Sequence, residues 1–215
     1  MKKFILLLVI ILMGGNLMAQ DFEGVITYSI TYEQLPEEMQ QMEQMLPKSQ
    51  KISVKGDKSR FEQKTTMSRS IFLSDMAAGT STILIEAQGQ KFKLSMSKED
   101  VDKSIEQQGT PGINYVDGTK DIAGYTCKKA EVTMEGLDDK AIFYYTEEIP
   151  AIQMRGMESL QLKGMPLEYQ MSTNGIKMVM TVIEMDERSL SDDLFEVPEG
   201  YTEMTDQMKQ MMGMK

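Results

Sequence analysis

The chain contains no histidine, no tryptophan and a single cysteine. Without histidine there is no Ser-His-Asp or Cys-His nucleophilic centre, and the usual zinc ligand is missing, so most hydrolase designs are excluded. Cys127 has no partner for an internal disulfide, so the fold must be held by its core. It reads as a buried small hydrophobe, with pairing between two chains as the alternative. No Pro-, Gly- or Ser-rich linker divides the chain, which points to one domain around one core. Gly-rich phosphate motifs are also missing.

Long apolar runs are lacking everywhere but at the start, where Met1-Lys2-Lys3 is followed by an apolar stretch from Phe4 to Met13 and then by Leu17-Met18-Ala19. A basic n-region, a short h-region and a small residue before the cut make a secretory signal peptide over 1–19, too short to span a bilayer comfortably. No cysteine stands at the cut, which argues against a lipid-modified N-terminus. The expectation is an exported, periplasmic protein with no transmembrane segment after cleavage. Positive charge is scarce as well. Loss of Lys2 and Lys3 leaves 21 basic against 33 acidic residues, a net charge of −12. That balance opposes nucleic acid or an anionic membrane surface as partner.

What the chain does have is alternation. Phe22, Gly24, Ile26, Tyr28, Ile30 and Tyr32 fall on one face and Glu23, Thr27, Ser29 and Thr31 on the other, the period of a long half-buried strand. Leu35, Met39, Met42 and Leu46 then recur at helical spacing between Pro36 and Pro47, predicting a short amphipathic helix. Strands follow over 51–58, 60–67, 69–76, 80–87 and 91–96. Ser97-Lys98-Glu99-Asp100 reads as the capped start of a helix ending near Gly109.

In the second half a turn is read at Asp117-Gly118-Thr119, ahead of the stretch 121–134. The strand 124–134 is imperfect: Tyr125 and Cys127 face one way, Ala130, Val132 and Met134 the other. A bulge near Lys128-Lys129 would reconcile them. Strands over 140–146, 167–172 and 176–187 follow the irregularities, the last two joined by Asn174-Gly175, a strong hairpin signal. The segment 147–163 is expected to cross the sheet, and 194–197 to form a short edge strand. The total is about eleven strands and two or three short helices. The expected fold is mainly β (α+β), a strongly curved open antiparallel half-barrel with its helices on the concave face. Its parts are the signal peptide (1–19), the half-barrel domain (20–202) and a Met-rich tail (203–215).

Several of these residues resemble a known family. The opening Phe22-x-Gly24-x-Ile26-x-Tyr28, the central Ile122-Ala123-Gly124-Tyr125-Thr126-Cys127-Lys128, the step Gly164-Met165-Pro166-Leu167-Glu168 and the closing Leu194-Phe195-x-Val197-Pro198-x-Gly200-Tyr201 look like an uncharacterised periplasmic domain family. That family is similar in architecture to the LolA-like lipoprotein carriers. The resemblance implies an open half-barrel whose helices plug an apolar cavity, and it brings no catalytic residue.

Methionine is the compositional excess, at 22 residues. The unbranched thioether suits ordinary packing, a pliable lining for acyl chains, or Cu(I) coordination. With no histidine to help, the copper reading rests on methionine alone. Neighbouring carboxylates such as Glu37/Glu38, Asp138/Asp139, Glu147/Glu148 and Asp192/Asp193 point to opposite sides of a strand and read as solvated surface. Asp100 and Asp102 lack the glycine and the closing glutamate of a calcium loop.

The reading is therefore a non-enzymatic binding protein that needs no cofactor and no metal. Ile26, Tyr28, Ile30, Leu35, Met39 and Met42 are expected to line an apolar groove for a lipid or a lipoprotein's acyl chain. The alternatives are a structural or interaction protein of the cell envelope with a filled cavity and an envelope protein as partner, and a copper-handling protein built on methionine.

Overall fold

The alternating run near the start becomes β1 (Gly24–Gln34), with Ile26, Tyr28 and Ile30 buried on one face as the period of two requires. The computed structural model describes residues 22–151 and 160–211. From β1 the chain meanders through β2 (Ser49–Lys55), β3 (Lys58–Lys64), β4 (Ser68–Asp75), β5 (Thr80–Ala87) and β6 (Gln90–Met96). After helix α2 (Lys98–Gln108) a second meander runs through β7 (Gly112–Ile122), β8 (Tyr125–Thr133), β9 (Ala141–Thr146), β10 (Met165–Thr173) and β11 (Ile176–Glu187). β11 then pairs with the free side of β1. Among the described residues both meanders, with the short β12 (Thr202–Glu203), thus share one mostly antiparallel, open sheet of twelve strands, in the order β12-β6-β5-β4-β3-β2-β1-β11-β10-β9-β8-β7. Its last member, β12, lies parallel to β6. The fold is the mainly β, open architecture that the alternation predicts, with twelve strands and three short helices among the described residues.

Local chemistry sets several boundaries where expected. Ser97 caps α2: its Oγ accepts from the Asp100 amide, while the Ser97 amide donates to the Asp100 carboxylate at 3.0 Å. Gly109 at φ +69° ends the helix. Asn174 and Gly175, both at positive φ, turn the β10–β11 hairpin.

Three elements differ from the sequence reading. The helix expected over Leu35–Leu46 is broken into α1 (Glu37–Gln40) and a 3-10 turn at Glu43–Met45, neither with a side-chain cap or a fully buried residue. A run this short needs a surface to dock on, and one turn at a time is all that forms. Asp117-Gly118 is not a turn between elements. It is a bulge inside β7, between Val116 opposite Lys129 and Thr119 opposite Lys128. The irregularity expected beside Lys128-Lys129 is there, with the extra residues on the partner strand. Residues 194–197 form no edge strand. A 3-10 turn over Asp192–Phe195 lies in a strap that runs from Leu190 to Met204, and the strand at that edge of the sheet is β12.

That strap crosses the outer face of the first meander. The Leu190 amide donates to Glu23 and its carbonyl accepts from Lys55, the Leu194 carbonyl accepts from Arg60, and Tyr201 packs on the buried trio Ile71, Leu73 and Leu84. Met204 closes it, buried, with its amide on the Lys93 carbonyl. The Met-rich tail thus begins inside the fold and continues as α3 (Asp206–Met211). The proposed leader, 1–19, lies outside the described residues, as do Met154, Met157, Met212 and Met214. At the other end of the sheet, β7 carries its bulge together with Asp117, Lys120 and Asp121, features that discourage a second chain from pairing with a bare edge.

Candidate functional site: the apolar inner face

Cross-strand register places one apolar row along the inner face. Ile26 stands opposite Ile52, Ile52 opposite Phe61, Phe61 opposite Phe72, Phe72 opposite Ile83, and Ile83 opposite Leu94. In the other direction Ile30 faces Met180, Met180 faces Tyr169, Tyr169 faces Phe143, and Phe143 faces Ala130. Such directly opposed side chains are the unit that stabilises a sheet. Cover is uneven along the row. Ile26 and Ile52 are 0% exposed and Ile83 is 7%, while Ile85, Phe92, Leu94 and Met96 towards β6 are only half-buried.

The tightest part lies where the curved sheet brings β1 over β10. The Tyr28 hydroxyl donates to the Pro166 carbonyl at 2.6 Å, beside the bulge between Pro166 and Glu168. The Tyr28 ring meets Tyr169 edge-on at 5.9 Å, and Tyr169 stacks on Phe143 at 5.5 Å. Burial drives both phenols well above the ordinary tyrosine range. Both stay protonated at neutral pH and pack as part of the core.

The six expected lining residues fall into two sets. Ile26, Tyr28 and Ile30 share the inner face and belong to the main core. Leu35 and Met39 are half-buried and Met42 is 46% exposed, in the β1–β2 connection that returns through Lys48, whose carbonyl accepts from the Ile30 amide. The connection 147–164 adds Ile149 and Leu162 to the core, and Gly164 lies so close to Thr146 that a methyl there would overlap the Thr146 carbonyl.

Several buried polar groups of this sheet were not legible from sequence. Glu168 is 2% exposed, and Lys120 donates to both its carboxylate oxygens at 2.8 and 2.6 Å. Thr181 and Gln170 add further hydrogen bonds. Ser59 and Ser81, buried on the inner face beside the apolar row, have hydroxyls with no hydrogen-bond partner, an uncommon state for buried polar atoms. Cys127 is fully buried. Burial, with Asp121 and Glu168 nearby, pushes its thiol up to about 11. Among the described residues no group of three or more His, Cys, Asp or Glu side chains is placed to hold a metal, and no helix is long and apolar enough to cross a membrane.

The fold and this face define an open, mainly antiparallel sheet with a continuous apolar inner surface. No family model and no curated protein matches the chain. Among solved structures it is similar to PNGF-II in the P21 crystal form, with a TM-score of 0.55 at 16% identity over 89% of this chain. The C2 form gives 0.54 at 15% identity. The chain spans about a third of PNGF-II, 33% and 32% of the two, and the likeness establishes the fold alone. The lipoprotein LppX of Mycobacterium tuberculosis aligns over 79% of this chain and 90% of its own with a TM-score of 0.39 at 9% identity, a level that carries no argument about this chain.

Proposed function

We propose that the chain is an exported, non-enzymatic binding protein that holds a lipid or a lipoprotein's acyl chain on the inner face of its sheet. The observation that carries this reading is the apolar row, sealed at Ile26 and Ile52 and progressively uncovered towards Leu94. An acyl chain laid along it removes apolar surface from water at about 25 cal/mol per Å². In this reading Ile26, Tyr28 and Ile30 form the floor. Leu35, Met39 and Met42 form a pliable lip, where thioethers adapt to irregular chains. The resemblance of the opening and closing motifs to an uncharacterised periplasmic domain family, and the N-terminal leader pattern, support export to the periplasm.

One observation favours a second reading, an envelope interaction protein with a filled cavity: three of the six lining residues are already packed in the core. Native mass spectrometry on protein purified gently from its own host separates the two. Added mass that matches a lipid and is lost on denaturation supports the carrier. A bare polypeptide mass, with nothing apolar recovered by solvent extraction, overturns it in favour of the interaction protein.

A further inference from the structure

On the outer face, opposite the apolar row, the tips of two hairpins enclose a polar cleft of about 520 Å³. Its floor is one line of cross-strand neighbours. Lys64 on β3 stands opposite Arg69 on β4, Arg69 opposite Glu86 on β5, and Glu86 opposite Lys91 on β6. The turn 65–67 forms one wall. Gln88 and Gly89, both at positive φ, form the other.

The charges on this floor are unbalanced. Arg69 donates from Nε to Glu62 at 2.8 Å and sits 3.7 Å from Glu86. Glu62 is also held by Arg60, whose Nη2 lies 3.1 Å away, and Glu86 accepts from the Tyr201 hydroxyl. Burial pushes Glu62 up, but its hydrogen bonds to Arg69 and Arg60 outweigh this and hold it below the usual carboxylate range. Both carboxylates are therefore occupied. Lys64 and Lys91 make no ion pair among the described residues, and Lys91 lies 5.5 Å above the Tyr201 ring. Among the groups that line the cleft, Lys64, Arg69 and Lys91 against Glu62 and Glu86 leave one net positive charge, in a chain whose formal charge is −10. Like charges directly opposite each other on neighbouring strands, as Lys64 and Arg69 are, destabilise a sheet. An anion seated over them relieves that repulsion.

We propose that this cleft is a binding site for a phosphate-bearing ligand, with Lys64 and Lys91 gripping its oxygens from either side and Arg69 beneath. Guanidinium and ammonium groups are the usual donors to phosphate, and the volume lies within the range of small-molecule sites. The phosphate is that of a soluble ester or of a lipid headgroup. The site lies on the opposite face from the acyl-chain groove and stands or falls independently of it.

The test is a ¹H–¹⁵N NMR titration of the labelled protein, first with inorganic phosphate and then with vesicles of phosphatidylglycerol. The expected result is a saturable shift confined to the amides of 64–69 and 86–91, weakened at least tenfold in K64Q/K91Q, whose remaining spectrum is unchanged because both side chains are exposed. A response to inorganic phosphate identifies the soluble source. A response to vesicles alone identifies the headgroup. No response to either probe, shifts spread over all surface lysines, or an unchanged affinity in K64Q/K91Q overturns the proposal.

Discussion

Lys120, on the outermost strand β7, reaches across two intervening strands to bind both carboxylate oxygens of Glu168 on β10. The contact ties the end of the sheet to its middle, so the curl of the second meander depends on a charge pair as well as on apolar packing. Lys120 Nζ also lies 5.5 Å from the centre of the Tyr144 ring, above the strand it crosses.

Removing one partner of this pair is expected to be worse than removing both. Lys120→Met leaves a carboxylate 2% exposed without its cation and should lower stability by about 2–3 kcal/mol, since an uncompensated buried charge is the dominant loss. The double variant K120M/E168M should recover part of that. Urea denaturation of the two single variants and the double variant measures the coupling, and strict additivity would refute it.

Tyr28→Phe keeps the ring against Tyr169 and removes only the hydroxyl. The Pro166 carbonyl then loses its 2.6 Å donor inside the core. The expected loss is about 1–2 kcal/mol, that of a hydrogen bond whose acceptor stays buried. It is read from the urea midpoint at unchanged slope.

Alkaline pH should unfold the protein through its buried acids. The Cys127 thiol has an ordinary value of 9.0 in an unfolded chain and about 11 in the fold, and Tyr28 and Tyr169 are raised in the same direction. A folded-state pKa above the unfolded one means that the native state holds its proton longer, so stability falls as pH rises. The contribution from Cys127 is complete below about pH 9 and is lost progressively towards pH 11. Melting temperatures at pH 8, 9.5 and 11 should decline, and Cys127→Ala should flatten part of that slope. In the native state at pH 8 the thiol should not react with a disulfide reagent, whereas in denaturant it should.

Gly164→Ala should be among the most damaging small substitutions in the chain. Its methyl would overlap the Thr146 carbonyl, which is backbone and has no rotamer to yield. A loss of about 2 kcal/mol or more is expected, the scale of overpacking in a tight core, and thermal melting of the variant measures it. A melting temperature equal to that of the parent would mean that the two strands separate more easily than their ladder suggests.

Much of the fold was legible because it rests on local periodicity. The alternation of β1, the apolar runs that become β5 and β11, the Ser97 cap and the Asn174-Gly175 turn each declare themselves within a dozen residues. The inner face followed, since a period of two assigns Ile26, Tyr28 and Ile30 to one side. The misreadings arose where long-range pairing decides. Asp117-Gly118 carries turn residues, yet β8 on the other side of the ladder absorbs them as a bulge. Leu194–Val197 is apolar enough for a strand, but it crosses its neighbours and finds packing instead of a ladder. Leu35, Met39 and Met42 have helical spacing but no surface that would hold a full helix together. For Glu168, nothing in its neighbourhood announces a lysine 48 residues earlier as its partner.

The strap from Leu190 to Met204 has a consequence for the order in which the molecule is completed. It covers Ile71, Leu73 and Leu84, and through β12 it occupies part of the outer edge of β6. Every strand it protects is made well before it. A chain interrupted between residues 97 and 190 would own a finished first meander with a sticky flank and an unsealed side. Intactness of the carboxyl-terminal portion is thereby built into solubility itself, and a shortened product declares its own fault by clumping or by falling to proteases.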